Sequence, residues 1–166
     1  MIGGDLSKSN NIIISSNFFG YVTKGKILNR TGARINDDIW ITGNLGESSI
    51  GLAIRQKKIK LNEIAQKYFV TKYLFPKHCF IGNKINNLAT AAIDISDGLN
   101  TDLNRILAAS NVGAQVHIDL LPLSTELIAY CGIIDNARQA AITGGDDYCE
   151  GLYNYTGTSN SHCQCN

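Results

Sequence analysis

Residues 89–110 constrain the fold more than any other stretch. ATAAIDI at 89–95 is a short apolar run with strand composition. After Ser96-Asp97-Gly98, Leu99, Leu103, Ile106 and Leu107 recur with the spacing of one helix face. A strand that hands over to an amphipathic helix within three residues is the building unit of α/β and α+β domains. Other stretches repeat the alternation. Asp37–Thr42 reads as a short strand, with Trp40 in the core, and a helix follows Gly43-Asn44-Leu45-Gly46 to about Arg55. Leu61, Ile64, Ala65, Tyr68 and Phe69 form a helical stripe that Pro76 stops. Ala114–Ile118 reads as a strand, and helical stretches are expected near 124–131 and 135–142. Residues 11–22, NIIISSNFFGYV, are β-branched and aromatic and predict a strand or strand pair. A basic, Gly-punctuated connector spans 23–37. The expected class is α+β (mixed α/β), and no internal repeat is present.

Composition narrows the function classes. Apolar residues make up 44% and charged residues 17% of the 166, enough for a packed core. Fifteen Lys and Arg against 14 Asp and Glu give a formal charge of +1, which argues against a dedicated nucleic-acid binder. No apolar run approaches the roughly 18 residues of a membrane helix. The first residues lack the basic-then-apolar layout of an export signal, so a cytoplasmic location with free thiols is expected for the five cysteines. Cys163-x-Cys165 beside His162 lacks the usual metal-knuckle spacing and reads as a tail end. Arg55, Lys57, Lys58 and Lys60 read as a solvated helix end, and His117 as a structural side chain.

The chain contains no GxGxxG after a strand, no GxxxxGK[ST], no HExxH and no GxSxG. What stands out is carboxylate beside glycine: Gly3-Gly4-Asp5, Asp94-Ile95-Ser96-Asp97-Gly98, and Gly144-Gly145-Asp146-Asp147. Glycine lets backbone N–H groups approach an anion, and adjacent carboxylates hold hard divalent cations that bridge to phosphate oxygens. Asp94-x-Ser96-Asp97 lies between a strand end and a helix start, where a helix dipole favours negative charge. Each cluster alone also reads as an ordinary turn, and Asp97 also reads as a helix cap. Three clusters without His or Cys, together with Arg30, point to magnesium-assisted phosphate chemistry. Gly43-x-x-Gly46 reads equally as a phosphate nest or a plain loop.

IGGD at 2–5, GKILNRTGARINDDIWITGNLGESSIGLAI at 25–54, LATAAIDISDGLNTDLNRILAAS at 88–110, VGAQVHIDLLPLS at 112–124 and ITGGDDY at 142–148 together resemble the thiamine-monophosphate kinase family. That family belongs to the PurM-like (aminoimidazole-ribonucleotide-synthetase-like) superfamily. The resemblance implies transfer of the γ-phosphoryl group of ATP to thiamine phosphate, giving thiamine diphosphate, with Mg2+. It implies that Gly4 and Asp5 meet ATP phosphates and magnesium, that Arg30 and Ser96 contact ATP, that Asp94 and Asp97 hold magnesium, and that Asp146 contacts the thiamine substrate. It also implies a homodimer built through the N-terminal domain.

The departures set further expectations. The family is about twice as long and carries more magnesium-binding aspartates upstream. Phe75-Pro76-Lys77-His78-Cys79 replaces an Arg-Pro-x-Pro-Arg-like stretch, and Cys149-Glu150-Gly151 breaks the pattern after Tyr148. Residues 1–35 are expected to be a remnant of an ATP/Mg-binding domain and 36–150 an incomplete C-terminal PurM-like domain. Residues 151–166 are expected to be an unmatched, disordered tail, as a reading-frame shift near 149 would produce. Weak solubility, self-association, or a second polypeptide supplying the N-terminal half is expected with it. The competing functions are another PurM-like enzyme, such as a selenophosphate or aminoimidazole-ribonucleotide synthetase, and a non-catalytic remnant.

Overall fold

A computed structural model describes residues 3–77, 79, 81–131, 151–155 and 164–165. Five strands form one antiparallel sheet: β1 (Asp38–Ile41), β2 (Ala89–Asp94), β3 (Ala114–Gln115), β4 (Gly151–Tyr155) and β5 (Gln164–Cys165), in the order β2-β4-β1-β5-β3. The helices are α1 (Glu47–Arg55), α2 (Glu63–Leu74), α3 (Gly82–Ile85), α4 (Leu99–Ser110) and α5 (Thr125–Cys131). Helices and an antiparallel sheet make the fold α+β, as expected.

The strand-to-helix unit at 89–110 seeds the main core. Ala91 and Ile93 of β2, Ile95 of the loop, and Leu99, Leu103 and Ile106 of α4 are all buried in one cluster with Ile39 and Leu45. The stripe read from the sequence is therefore the face that α4 lays on the sheet. The edge of β2 is covered as well: Ala92 N–H donates to Asn29 O at 2.9 Å.

A second, smaller cluster lies between α1, α2 and α5, around Phe69 and Leu127. Asn62 caps α2 by accepting the Ala65 N–H at 2.9 Å, and the helix ends at Leu74, two residues before Pro76. Of the predicted stripe, Phe69 is buried while Ile64 is exposed, because α2 is packed on one side only. Gly51 is where α1 meets α2: a Cβ there would lie 2.3 Å from Phe69 O and 2.7 Å from Tyr73 Cβ. Beside this contact, buried Glu47 accepts a hydrogen bond from the Tyr68 hydroxyl and pairs with Lys72 Nζ at 2.6 Å. Lys72 Nζ also stands 5.3 Å from the centre of the Tyr68 ring.

Four expectations need correction. Residues 11–22 form no strand; they are extended and exposed, with no ladder partner among the described residues. β-Branched composition gives a strand only where another backbone pairs with it. The Ala114–Ile118 strand is cut to two residues, and Ile118–Leu120 turn into a 3-10 helix ahead of Pro122. Trp40 sits on the exposed face of β1, opposite buried Ile39, as pleat alternation requires. The stretch expected to be a disordered tail contributes strands: Gly151–Tyr155 inserts between β1 and β2, and Gln164–Cys165 pairs with β1 and β3. Its Tyr and Leu content suits a strand once two partners flank it. The helix expected at 135–142 lies outside the described residues.

Two outcomes follow from the α1–α2 contact. Gly51→Ala should lower unfolding free energy in urea by about 1–3 kcal/mol, since the obstacle is backbone rather than a movable side-chain tip. For Lys72, burial lowers the pKa but the Glu47 carboxylate outweighs it, so the ammonium ends above its ordinary 10.5. Burial, and then Glu47, raise the Tyr68 hydroxyl above 10.0. Both groups are held in their protonated forms in the folded state. Their contribution is therefore complete below the unfolded pKa values and is lost as pH climbs through the raised ones. Urea midpoints measured from neutral pH into the alkaline range should fall above about pH 10, and less steeply in Glu47→Gln.

Candidate functional site

Asp94 is the last residue of β2 and is exposed, while Asp97 is exposed on the loop that follows. Gly98 enters α4 with φ 102° and ψ 153°, a conformation that L side chains rarely adopt, so this sharp turn requires glycine. The turn keeps Asp94, Ser96 and Asp97 together at the junction of strand and helix.

What holds the loop is Asp102, one turn into α4 and completely buried. Its Oδ2 accepts the backbone N–H of Ser96 at 3.0 Å and of Asp97 at 2.9 Å. Its Oδ1 receives Arg105 Nη1 at 2.5 Å, and Arg105 Nη2 reaches Asp97 Oδ2. Asp97 therefore does not cap the helix: Gly98 is the N-cap, with no side-chain cap hydrogen bond, and Asp102 instead holds the loop ahead of it. The Asp97 side chain, more than Asp102, holds the Arg105 guanidinium above its ordinary pKa.

The other sequence-predicted residues lie on different segments of the chain. Gly4 and Asp5 are exposed, and Asp5 Oδ2 accepts from Ser7 Oγ at 3.3 Å. Among the described residues no group of three or more His, Cys, Asp or Glu could hold a metal ion, so Asp5 does not join Asp94 and Asp97. Arg30 is exposed, with its carbonyl accepting from Ser110 Oγ at 3.3 Å. Asn29 lies beside Ala92, and Gly32 approaches Thr90 O. That segment thus runs antiparallel to β2, with Arg30 between those two contacts. Asp146, with the Gly144–Tyr148 cluster, lies outside the described residues, as do His78 and His162.

Sequence reasoning missed Asp102, Arg105 and Asp37. Asp102 and Arg105 carried a usable signal, an acidic residue in the first helical turn with a base three positions on. Asp37 is buried ahead of β1 and its Oδ2 accepts the Arg34 N–H at 2.9 Å and the Thr90 hydroxyl at 2.5 Å, while Oδ1 has no hydrogen-bond partner. It ties the 30–37 connector to β2, and no local pattern marks it.

Residues 34–143 match the family model of the AIR synthase related protein, C-terminal domain, and the chain belongs to that family. Within it, the similarity is to thiamine-monophosphate kinases. The Salmonella typhimurium thiamine-monophosphate kinase is 36% identical over 152 residues, covering 89% of this chain and 46% of that protein. The crystal structure of thiamine-monophosphate kinase from Stenotrophomonas maltophilia K279a superposes with a TM-score of 0.74 at 35% identity, over 82% of this chain and 44% of that one. The structure of AaThiL complexed with AMPPCP and TMP gives a TM-score of 0.70 at 32% identity, over 77% and 42%. The chain thus spans about half the length of the relatives it matches. The fold is the PurM-like one that the resemblance implied. Among the described residues, no helix is long and apolar enough to cross a membrane.

Asp102→Ala would leave two half-buried N–H groups and Arg105 without their acceptor. It should cost about 2–4 kcal/mol in urea unfolding, and amide exchange at Ser96 and Asp97 should accelerate.

Proposed function

We propose that this chain supplies the C-terminal-domain share of an ATP-dependent thiamine-phosphate kinase, which moves the γ-phosphoryl group of ATP onto the phosphate of thiamine phosphate. The observation that carries the reading is the Asp94–Gly98 loop, in a chain similar to thiamine-monophosphate kinases over 89% of its length.

The donor set fits magnesium. Asp94 and Asp97 offer exposed hard carboxylate oxygens three residues apart, and magnesium is commonly held by one or two carboxylates plus substrate phosphates. Bound there, the cation would screen the negative charge of the reacting phosphates. The loop amides of Ser96 and Asp97 are committed to Asp102, so a phosphate here would meet the Ser96 hydroxyl and the dipole of α4 instead. The acceptor is a phosphate oxygen that is already anionic. The site's task is then positioning rather than proton removal, which suits a loop without histidine.

Gly4, Asp5 and Arg30 belong to the nucleotide side of this proposal and Asp146 to the thiamine side. A second copy, or a polypeptide carrying the upstream half of the relatives, belongs to it as partner. The exposed Ile12, Ile13, Ile14, Phe18 and Phe19 support that partner. A chain that keeps the fold without turnover is the second reading, favoured by Asp5 standing apart from Asp94 and Asp97.

The test uses the whole chain, alone and mixed with the N-terminal half of the Salmonella typhimurium relative. Calorimetry with magnesium and a non-hydrolysable ATP analogue should detect binding that Asp94→Asn weakens by roughly tenfold or more. The mixture should form thiamine diphosphate from thiamine phosphate and ATP. Binding without turnover in the mixture leaves the non-catalytic reading; no binding at millimolar nucleotide in either preparation overturns the proposal.

A further inference from the structure

We propose that Arg105 is the resident counter-cation of Asp97, and that a divalent cation arriving at the Asp94–Asp97 loop must displace its guanidinium, which stays tethered to Asp102. The inference rests on the cation-binding reading given above and adds the residue that competes with the cation.

Three observations carry it. Arg105 is forked, with Nη1 on Asp102 and Nη2 on Asp97. The two arms differ in surroundings: the Asp102 side chain is fully buried, whereas that of Asp97 is 51% exposed and that of Arg105 41%. Finally, Asp102 is fixed through its other oxygen by two backbone N–H groups, so it cannot follow Arg105 outward.

The physical consequence is an asymmetric fork. An ion pair between half-exposed groups is screened by water and easily exchanged. A guanidinium on a buried carboxylate is not, because its loss would strand a charge away from solvent. The Asp97 arm is therefore the one that opens. While it is closed, Arg105 offsets one of the two carboxylate charges that Asp94 and Asp97 would present to a cation. A dication approaching Asp97 is also repelled by the guanidinium until the arm lets go. Arg105 thus sets a threshold for loading without itself leaving the site.

A pin that merely stabilises the loop predicts the opposite sign. Removing such a pin loosens Asp97 and weakens cation binding. Removing a competitor strengthens it.

The experiment measures Mn2+ binding to the full chain by the paramagnetic resonance signal of the free ion, in low salt. Arg105→Gln should bind Mn2+ about 3- to 10-fold tighter than the unmodified chain, and the gap should shrink as KCl is raised. Arg105→Lys, which keeps the charge, should stay closer to the unmodified chain, and Asp94→Asn should weaken binding in either background. As a measurement independent of whether Arg105→Gln folds, the Arg105 Nε–Hε resonance of the unmodified chain should shift during Mg2+ titration with the midpoint of cation binding. Saturable binding that Asp94→Asn weakens but Arg105→Gln leaves equal or weaker overturns the counter-cation role alone. So does a resonance that does not move while the cation binds. If the unmodified chain shows no saturable binding sensitive to Asp94, the cation reading itself falls, and this role with it.

Discussion

One buried carboxylate organises the face of the molecule on which the proposed site lies. Asp102 carries a charge in the interior, a costly arrangement unless every lone pair is used. It is matched by two backbone amides from one side and a guanidinium from the other. The geometry of the Asp94–Gly98 loop is the visible result. Without these acceptors the Ser96 and Asp97 amides would need water, and a hydrated loop would not keep two carboxylates at a fixed separation. The core beneath supplies the rigid base: Ile93, Ile95, Leu99 and Ile106 anchor both ends of the turn in the same cluster. Hydrophobic packing thus fixes where β2 stops and α4 starts, and Asp102 fixes what the chain does between them.

The second cluster follows the same logic with different groups. Gly51 lets two helix backbones approach until no Cβ fits between them, and Glu47 at the start of α1 uses that proximity to meet Tyr68 and Lys72 of α2. The acid stands in the first turn of its helix and the ammonium in the last turn of the other, where the helix dipoles favour each charge. Here too a buried acid is tolerated because its partners come from a neighbouring element that small-residue packing has brought close.

Legibility in the sequence tracked the range of the forces involved. Elements whose cause is local were readable: the leucine stripe of α4, the stop of α2 before Pro76, and the carboxylate–glycine loop at 94–98. Elements whose cause is a distant partner were not. Residues 11–22 have strand composition but nothing to pair with among the described residues, whereas Gly151–Tyr155 looks structureless and is a strand because β1 and β2 flank it. The site divided in the same way. Asp94, Ser96 and Asp97 are legible as candidates because four consecutive residues contain them. Asp37 reaches Thr90, 53 positions away, and nothing near it announces that bond. Trp40 is not legible as a surface residue because hydrophobicity does not say which face of a pleat is covered; its neighbour Ile39 takes the inner one.

Charge accounting connects the loop to the rest of the chain. Transfer between two phosphate groups gathers negative charge that the reaction centre must offset. At the Asp94–Gly98 loop the guanidinium present is already shared by two carboxylates, so this face by itself is short of positive charge. Arg30 lies on the segment that runs beside β2, and Asp5 lies on a stretch whose isoleucines and phenylalanines face water. On the proposed reading these are aspects of one arrangement. Covering residues 12–19 would remove apolar side chains from solvent, each worth roughly 1.5–3 kcal/mol if fully buried. The same covering would fix the path of the chain after Asp5, ahead of the stretch that Asn29, Arg30, Ala33 and Asp37 already tie to β2 and α4. The free energy that orders the nucleotide side of such a site would thus come from hydrophobic burial remote from the phosphates. The Asp94 side needs no such help, because Asp102 has already paid for its order from within.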